Sequence, residues 1–141
     1  MAKIVLSIKP QYTNLILSGE KTVELRRVVP SSLQIGSEII IYSTSPVKHI
    51  VAIAKVKKIE HHRLDNLWKK VGKLSGITAD FFYQYFSGLE AGFGLVLEEV
   101  KILEEPLALS SLRESIGFTP PQSFSYAAPE LQDYLAQAEY A

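Results

Sequence analysis

The chain has 141 residues, with fifteen Lys and Arg against fifteen Asp and Glu, and no cysteine. Folded units commonly run about 100–200 residues, so one domain is expected, and a composition 47% hydrophobic and 21% charged excludes a mainly disordered chain. The lack of cysteine excludes a disulfide framework, a Cys-ligated metal site and a thiol nucleophile, and an isoelectric point near 6.8 argues against a dedicated duplex-DNA binder, which carries a strongly basic face.

Taken in chain order, Lys3 to Ile8 is rich in β-branched residues and reads as a strand. Pro10 suits the first position of a helix, where its missing N–H costs nothing. Tyr12, Leu15 and Ile16 then form one apolar helix face, and Gly19 is placed to end the helix in the left-handed conformation. From Lys21 to Arg27 the pattern alternates, with Val23 and Leu25 on one face and Thr22, Glu24 and Arg26 on the other. Val28 to Gly36 reads as a loop. Glu38 to Ser43 is a near-continuous apolar strand, expected in the interior of a sheet, and Ser43 to Pro46 is a turn. His49 to Ile59 is a long strand.

Two helices follow. Leu64, Leu67, Trp68 and Val71 share a face of the first; Thr78 caps the second, in which Phe82, Tyr85 and Phe86 share a face. Gly92 to Leu103 returns to strand, with Glu98-Glu99 breaking the alternation as a bulge or an exposed section does. Ser111 and Glu114 fit a capping box for one helical turn. Gly117 to Tyr126, with Pro120-Pro121, reads as irregular, and Pro129 to Ala138 as a short amphipathic helix. Strands at both ends of the chain with helices between them do not make a βαβ alternation. The expected fold is α+β: a small, mostly antiparallel barrel with helices inserted between its strands. Residues 1–126 form the expected domain and 127–141 a C-terminal helical tail.

No apolar run approaches the roughly 20 residues that span a bilayer, and Ile4 to Ile8 is shorter than the roughly 7–15-residue core of a signal peptide. A cytoplasmic protein with no membrane association is expected. Glycine-rich phosphate loops, dinucleotide fingerprints, His-Glu-x-x-His pairs and Gly-x-Ser-x-Gly elbows do not occur, so no cofactor is implied. His61-His62 is the one metal-like feature, but adjacent strand residues point to opposite faces and chelate one ion poorly. No metal site is expected there. The aromatic group Phe81, Phe82, Tyr83, Tyr85 and Phe86 could stack bases but reads mainly as core, and the lysines from Lys55 to Lys73 read as either a solvated face or a phosphate contact surface.

The informative stretch is Gly19-Glu20-Lys21-Thr22-Val23-Glu24-Leu25-Arg26, spaced Gly-x-Lys-x-x-Glu-x-Arg, opening a strand straight after a helix. Glu24 and Arg26 share a strand face about 6.6–7 Å apart. A carboxylate accepts from an amine or hydroxyl, and a guanidinium grips a phosphate or carbonyl, so the pair can converge on one ligand; it can equally be a plain exposed ion pair. Lys21 has the opposite parity and joins them only if it precedes the regular pleat.

This spacing resembles the signature of the ASCH domain, a branch of the PUA-like superfamily. The leading strand with its Pro10 helix supports the resemblance. So do the Ile-Tyr-Ser-Thr-Ser-Pro stretch and the Val-Ala-Ile-Ala strand after it, together with the late Pro-Pro-Gln-Ser-Phe-Ser-Tyr segment. The resemblance implies a small barrel that binds RNA or a modified nucleotide in a cleft beside the motif. Lys21 and Arg26 would hold phosphate or carbonyl oxygens and Glu24 would accept from a base or sugar. Tyr42, Ser43, Thr44 and Ser45 would form walls, and Gln122, Ser123 and Tyr126 a closing loop.

Some relatives of this kind are amidohydrolases acting on N4-acetylcytidine. They resemble this chain at Lys21 but have a threonine where Glu24 stands and a carboxylate near Ser75, a region (Val71 to Thr78) without an acid here. Others are ribonucleases, for which His61 or His62 is the available acid/base group if either faces the cleft. The expected function is therefore an RNA- or nucleotide-binding module, with two of the three amidohydrolase roles unfilled and the question of catalysis open. The alternatives are a nucleoside amidohydrolase or ribonuclease, and a protein-interaction module using the aromatic helix and the C-terminal helix against a protein partner or in a homodimer.

Overall fold

The computed structural model describes residues 1–141. The elements in chain order are β1 (Lys3–Ile8), α1 (Pro10–Ser18), β2 (Val23–Arg26), β3 (Glu38–Ser43), β4 (His49–Arg63), α2 (Leu64–Val71), a short 3-10 turn (Gly72–Leu74), α3 (Ala79–Tyr85), β5 (Ala91–Ala108), α4 (Leu109–Ile116), β6 (Phe124–Tyr126) and α5 (Pro129–Ala136). The strands form one six-stranded sheet in the order β2-β5-β4-β3-β1-β6, curled into a half-barrel. Every pairing is antiparallel except β1 with β3, as the α+β expectation of a mostly antiparallel sheet required.

Local chemistry explains the first turns of chain. Pro10 occupies the first turn of α1, and Gly19 closes it with φ 84° and its N–H on the Ile16 carbonyl, a left-handed conformation that other residues adopt at a cost. Thr78 caps α3 by accepting from the Phe81 N–H. Glu99 takes φ 50°, and the register of β5 against β4 slips beside it, between Ile53 and Lys55; of the two readings of the Glu-Glu pair, the bulge is the one found.

Two readings need correction. The helix expected from Ser111 starts at Leu109, after Ala108, which has no side-chain cap; the Ser-x-x-Glu spacing falls inside the helix. The stretch expected to be irregular ends in β6, whose Phe124 to Tyr126 pair with Leu6 to Ile4 of β1.

The sheet is covered on both faces. Along β1 and β3 the alternation sorts Ile4, Leu6, Ile39 and Ile41 to one cluster, which Ile16 of α1 joins. Val5, Ile40 and Tyr42 go to the other, beneath Leu109 and Leu112 of α4 and Leu131 and Leu135 of α5. The C-terminal residues thus dock on the sheet, and the Ala141 N–H donates to the Ile102 carbonyl. A third cluster joins Val23 and Leu25 of β2 to Leu67, Val71, Phe82 and Phe86 of α2 and α3. This inserted helical pair raises a wall beside the motif strand. No helix is long and apolar enough to cross a membrane.

Candidate functional site

Strand β2 carries the motif, pairing Val23 to Arg26 with Val96 to Phe93 of β5. Val23 and Leu25 point into the third cluster, so Glu24 and Arg26 point the other way. Lys21 precedes the first paired residue, outside the pleat, and its parity is free. Its ammonium turns back and lies 3.4 Å from Glu24 Oε1. On the other side of the carboxylate, Arg26 Nε lies 3.2 Å from Glu24 Oε2.

All three side chains are buried. Lys21 also donates to the Ser75 carbonyl, and its Nζ sits 5.5 Å from the centre of the Tyr12 ring, within cation–π range. Arg26 donates from Nη1 to Ser123 Oγ at 3.2 Å and from Nη2 to the Ser7 carbonyl at 3.1 Å. Its Nε reaches ion-pair distance of Glu24 but is off the line of a hydrogen bond and has no other partner. Burial pulls the Lys21 pKa below the usual 10.5, against the upward pull of Glu24. Two cations share one carboxylate here, so a positive charge remains in excess.

This network forms the floor of a cleft of about 280 Å³, near the lower limit of the roughly 300–1,000 Å³ common for small-molecule sites. Tyr12 of α1 lines it. Phe81 and Tyr85 of α3, with Ile77 before them, also line it. The Tyr12 and Phe81 rings are 6.2 Å apart between centres. Tyr85 donates its hydroxyl to the Leu25 carbonyl, and burial raises its pKa. Arg27, the residue after the motif, donates to the carbonyls of Tyr85 and Ser87 at 2.7 and 3.0 Å, tying the end of α3 to the motif strand. Ser7 donates its hydroxyl to the Pro121 carbonyl at 2.6 Å, which holds the late loop, and with it Gln122, against the cleft.

Of the residues singled out in the sequence, Lys21, Glu24, Arg26 and Gln122 line this cleft, and Ser123 touches it through Arg26. Tyr42, Thr44, Ser45 and Tyr126 lie elsewhere. Tyr42 points into the second cluster, its ring 6.1 Å from that of Phe118. Ser43 is buried with its hydroxyl 2.9 Å from that of Thr13, joining β3 to α1. Thr44 and Ser45 belong to the turn after β3. Tyr126 is exposed and accepts from Ser32 Oγ at 2.9 Å. The histidines also lie away from the cleft: the His61 ring stacks on Phe93, centres 3.9 Å apart, and His62 Nε2 is 2.9 Å from Glu60 Oε1. Ser75 lies beside Lys21, but its hydroxyl is directed to the Gly72 carbonyl.

Ser7 and Tyr12 line the cleft without having been singled out in the sequence, whereas Phe81 and Tyr85 belong to the aromatic group weighed there as a base-stacking surface but read mainly as core. Phe81 and Tyr85 are four apart, as are the core residues Phe82 and Phe86, so the aromatic helix presents two adjacent faces, one to the cleft and one to the core.

A family model for the ASCH domain matches residues 6–120. The chain belongs to the ASCH domain family. A Zymomonas mobilis protein named ASCH domain-containing ribonuclease is 32% identical over 127 residues, covering 89% of this chain and 84% of that one. The crystal structure of ASCH from Zymomonas mobilis superposes with a TM-score of 0.89 at 29% identity, over 98% of this ASCH chain and 96% of that one. The large ribosomal subunit protein uL22 of Ureaplasma parvum is 24% identical over 124 residues, covering 87% of this chain but 38% of the longer protein.

Proposed function

We propose that this ASCH domain binds RNA or a nucleotide in the cleft between β2, α1 and α3. The observation that carries the reading is the buried Lys21–Glu24–Arg26 floor. Buried ion networks add little net stability, because desolvation offsets their attraction. A floor with surplus positive charge opening on aromatic walls suits a ligand with an oxygen-rich anionic part and a planar ring. The zero formal charge of the chain then means that affinity rests on this local site and not on a basic surface. The name of the Zymomonas mobilis relative supports an RNA-related role.

The test is calorimetric titration of short single-stranded RNA and of mononucleotides into the wild type and into Arg26→Ala. Binding that falls at least about tenfold in the variant, as loss of a charge-assisted contact implies, supports the reading. Equal affinity in a folded variant removes Arg26 from the site.

A second reading, ribonuclease activity, is favoured by the name of that same relative. Metal-free cleavage of RNA by the wild type, lost in Lys21→Ala, would establish it; intact RNA after prolonged incubation would exclude it for the substrates tried. Use of the C-terminal helix as a free docking surface has less support, since Leu131 and Leu135 are already buried.

A further inference from the structure

The chemistry of the cleft changes with depth, and this deepens the nucleotide reading on which it rests. At the floor, Lys21 and Arg26 are 3% and 7% exposed; at the mouth, Phe81 is 38% exposed. Charge therefore lies at the bottom and an aromatic surface at the rim. A pocket that swallows a flipped base has the reverse order, with a stacking slot inside and phosphate contacts outside.

The donors at the floor are only partly spent. A lysine ammonium has three protons, and two of those on Lys21 face the Ser75 carbonyl and Glu24. Arg26 uses one proton on each terminal nitrogen, for Ser123 and Ser7, and its Nε makes no hydrogen bond. Each terminal nitrogen of a guanidinium keeps a second proton. Glu24 is held between the two cations and acts as their internal counter-ion. What the floor lacks is an acceptor for the remaining protons and a charge to match the second cation, since Glu24 carries one negative charge against two positive ones. A base placed there would lay a neutral ring on desolvated charges and leave its phosphate on Phe81.

We propose that the cleft takes its ligand phosphate-first, with a terminal phosphate on the Lys21–Arg26 floor and the attached nucleoside against Tyr12 and Phe81 at the mouth. An internal phosphodiester fits poorly, because both arms of the strand would have to leave through the mouth of a cavity of about 280 Å³. The ligand class is thus a mononucleotide or a phosphorylated strand end, and Glu24 is a positioning residue that orients both cations without touching the ligand.

The experiment is a calorimetric series on the full chain, with amide NMR to locate each contact. The probes are uridine, uridine 5′-monophosphate, inorganic phosphate, and one short single-stranded RNA prepared with a 5′-phosphate, with a 3′-phosphate, or with hydroxyls at both ends. The mononucleotide should bind at least about tenfold more tightly than uridine, and one phosphorylated strand should exceed the hydroxyl-ended strand by a similar factor. Both should shift the Lys21 to Arg26 amides. In Phe81→Ala, a rim substitution, the mononucleotide should weaken while inorganic phosphate binds as in the wild type. If uridine and the hydroxyl-ended strand bind at the same cleft within about twofold of their phosphorylated forms, phosphate-first entry is overturned while the nucleotide reading stands. If no probe perturbs the cleft, both fall.

Discussion

Replacing Glu24 with Gln keeps the shape of the side chain and removes the charge that two buried cations share. Glu24 lies 3.4 Å from Lys21 and 3.2 Å from Arg26. At an effective dielectric constant near 20, each contact is a gross attraction of about 5 kcal/mol, much of it offset by the cost of burying the ions. Removing one partner of a buried pair typically costs about 3–5 kcal/mol, because the remaining charge is left uncompensated. That is a large share of the roughly 5–15 kcal/mol that holds a domain folded. With a urea dependence of about 2 kcal/mol per molar, the midpoint should fall by about 1.5–2.5 M.

The loss should also depend on pH. The Lys21 pKa already lies below its unfolded value of 10.5 through burial, and without Glu24 it falls further. Between the folded and unfolded values the unfolded chain holds more protons, so stability rises with pH across that window. The variant should therefore recover part of its deficit on the alkaline side. The assay is urea unfolding at neutral and alkaline pH. A midpoint within about 0.5 M of wild type, unchanged by pH, would refute the view that Glu24 is the counter-ion of the floor.

Three further outcomes are expected. Affinity for cytidine 5′-monophosphate, whose phosphate is already fully charged at neutral pH and whose base stays neutral above it, should decline as the pH rises toward the ordinary lysine range, because burial makes Lys21 give up its proton early; a flat profile by calorimetry would remove Lys21 from the contact. Arg27→Ala frees the end of α3 from β2 and should cost about 1 kcal/mol, with faster hydrogen exchange in α3 and weaker nucleotide binding; unchanged exchange would show that the wall stands without it. Gly92→Ala would drive a Cβ into the Phe86 ring, which is fully buried, and overpacking of this kind costs about 1–3 kcal/mol, readable as a lowered thermal midpoint.

The parts of the fold that were legible are those fixed by neighbours in the chain. Pro10 and Gly19 bracket α1 because each supplies a backbone conformation that the position needs. The alternation in β2 correctly separated Val23 and Leu25 from Glu24 and Arg26, although the strand is buried on both sides. β6 was not legible because three residues beside a Pro-Pro pair carry no period of their own; their pairing with β1 spans nearly the whole chain. The orientation of Tyr42 was equally hidden. In the apolar run Ile39 to Tyr42 both faces are buried, so no polar residue marks which side meets the cleft. Of the candidate site, the motif charges were readable from spacing and chemistry. Tyr12 was not, and for Phe81 and Tyr85 the choice between stacking surface and core was not, because helical aromatics facing a cleft and those facing a core have the same period.

The most direct measurement is an amide-resolved NMR titration of the labelled protein with uridine 5′-monophosphate. Shifts confined to Lys21–Arg26, Tyr12 and the Phe81–Tyr85 face of α3, saturating together, are the predicted result. A spectrum that does not move, or shifts gathered instead around Tyr42, Phe118 and Tyr126, would contradict a nucleotide cleft at the motif.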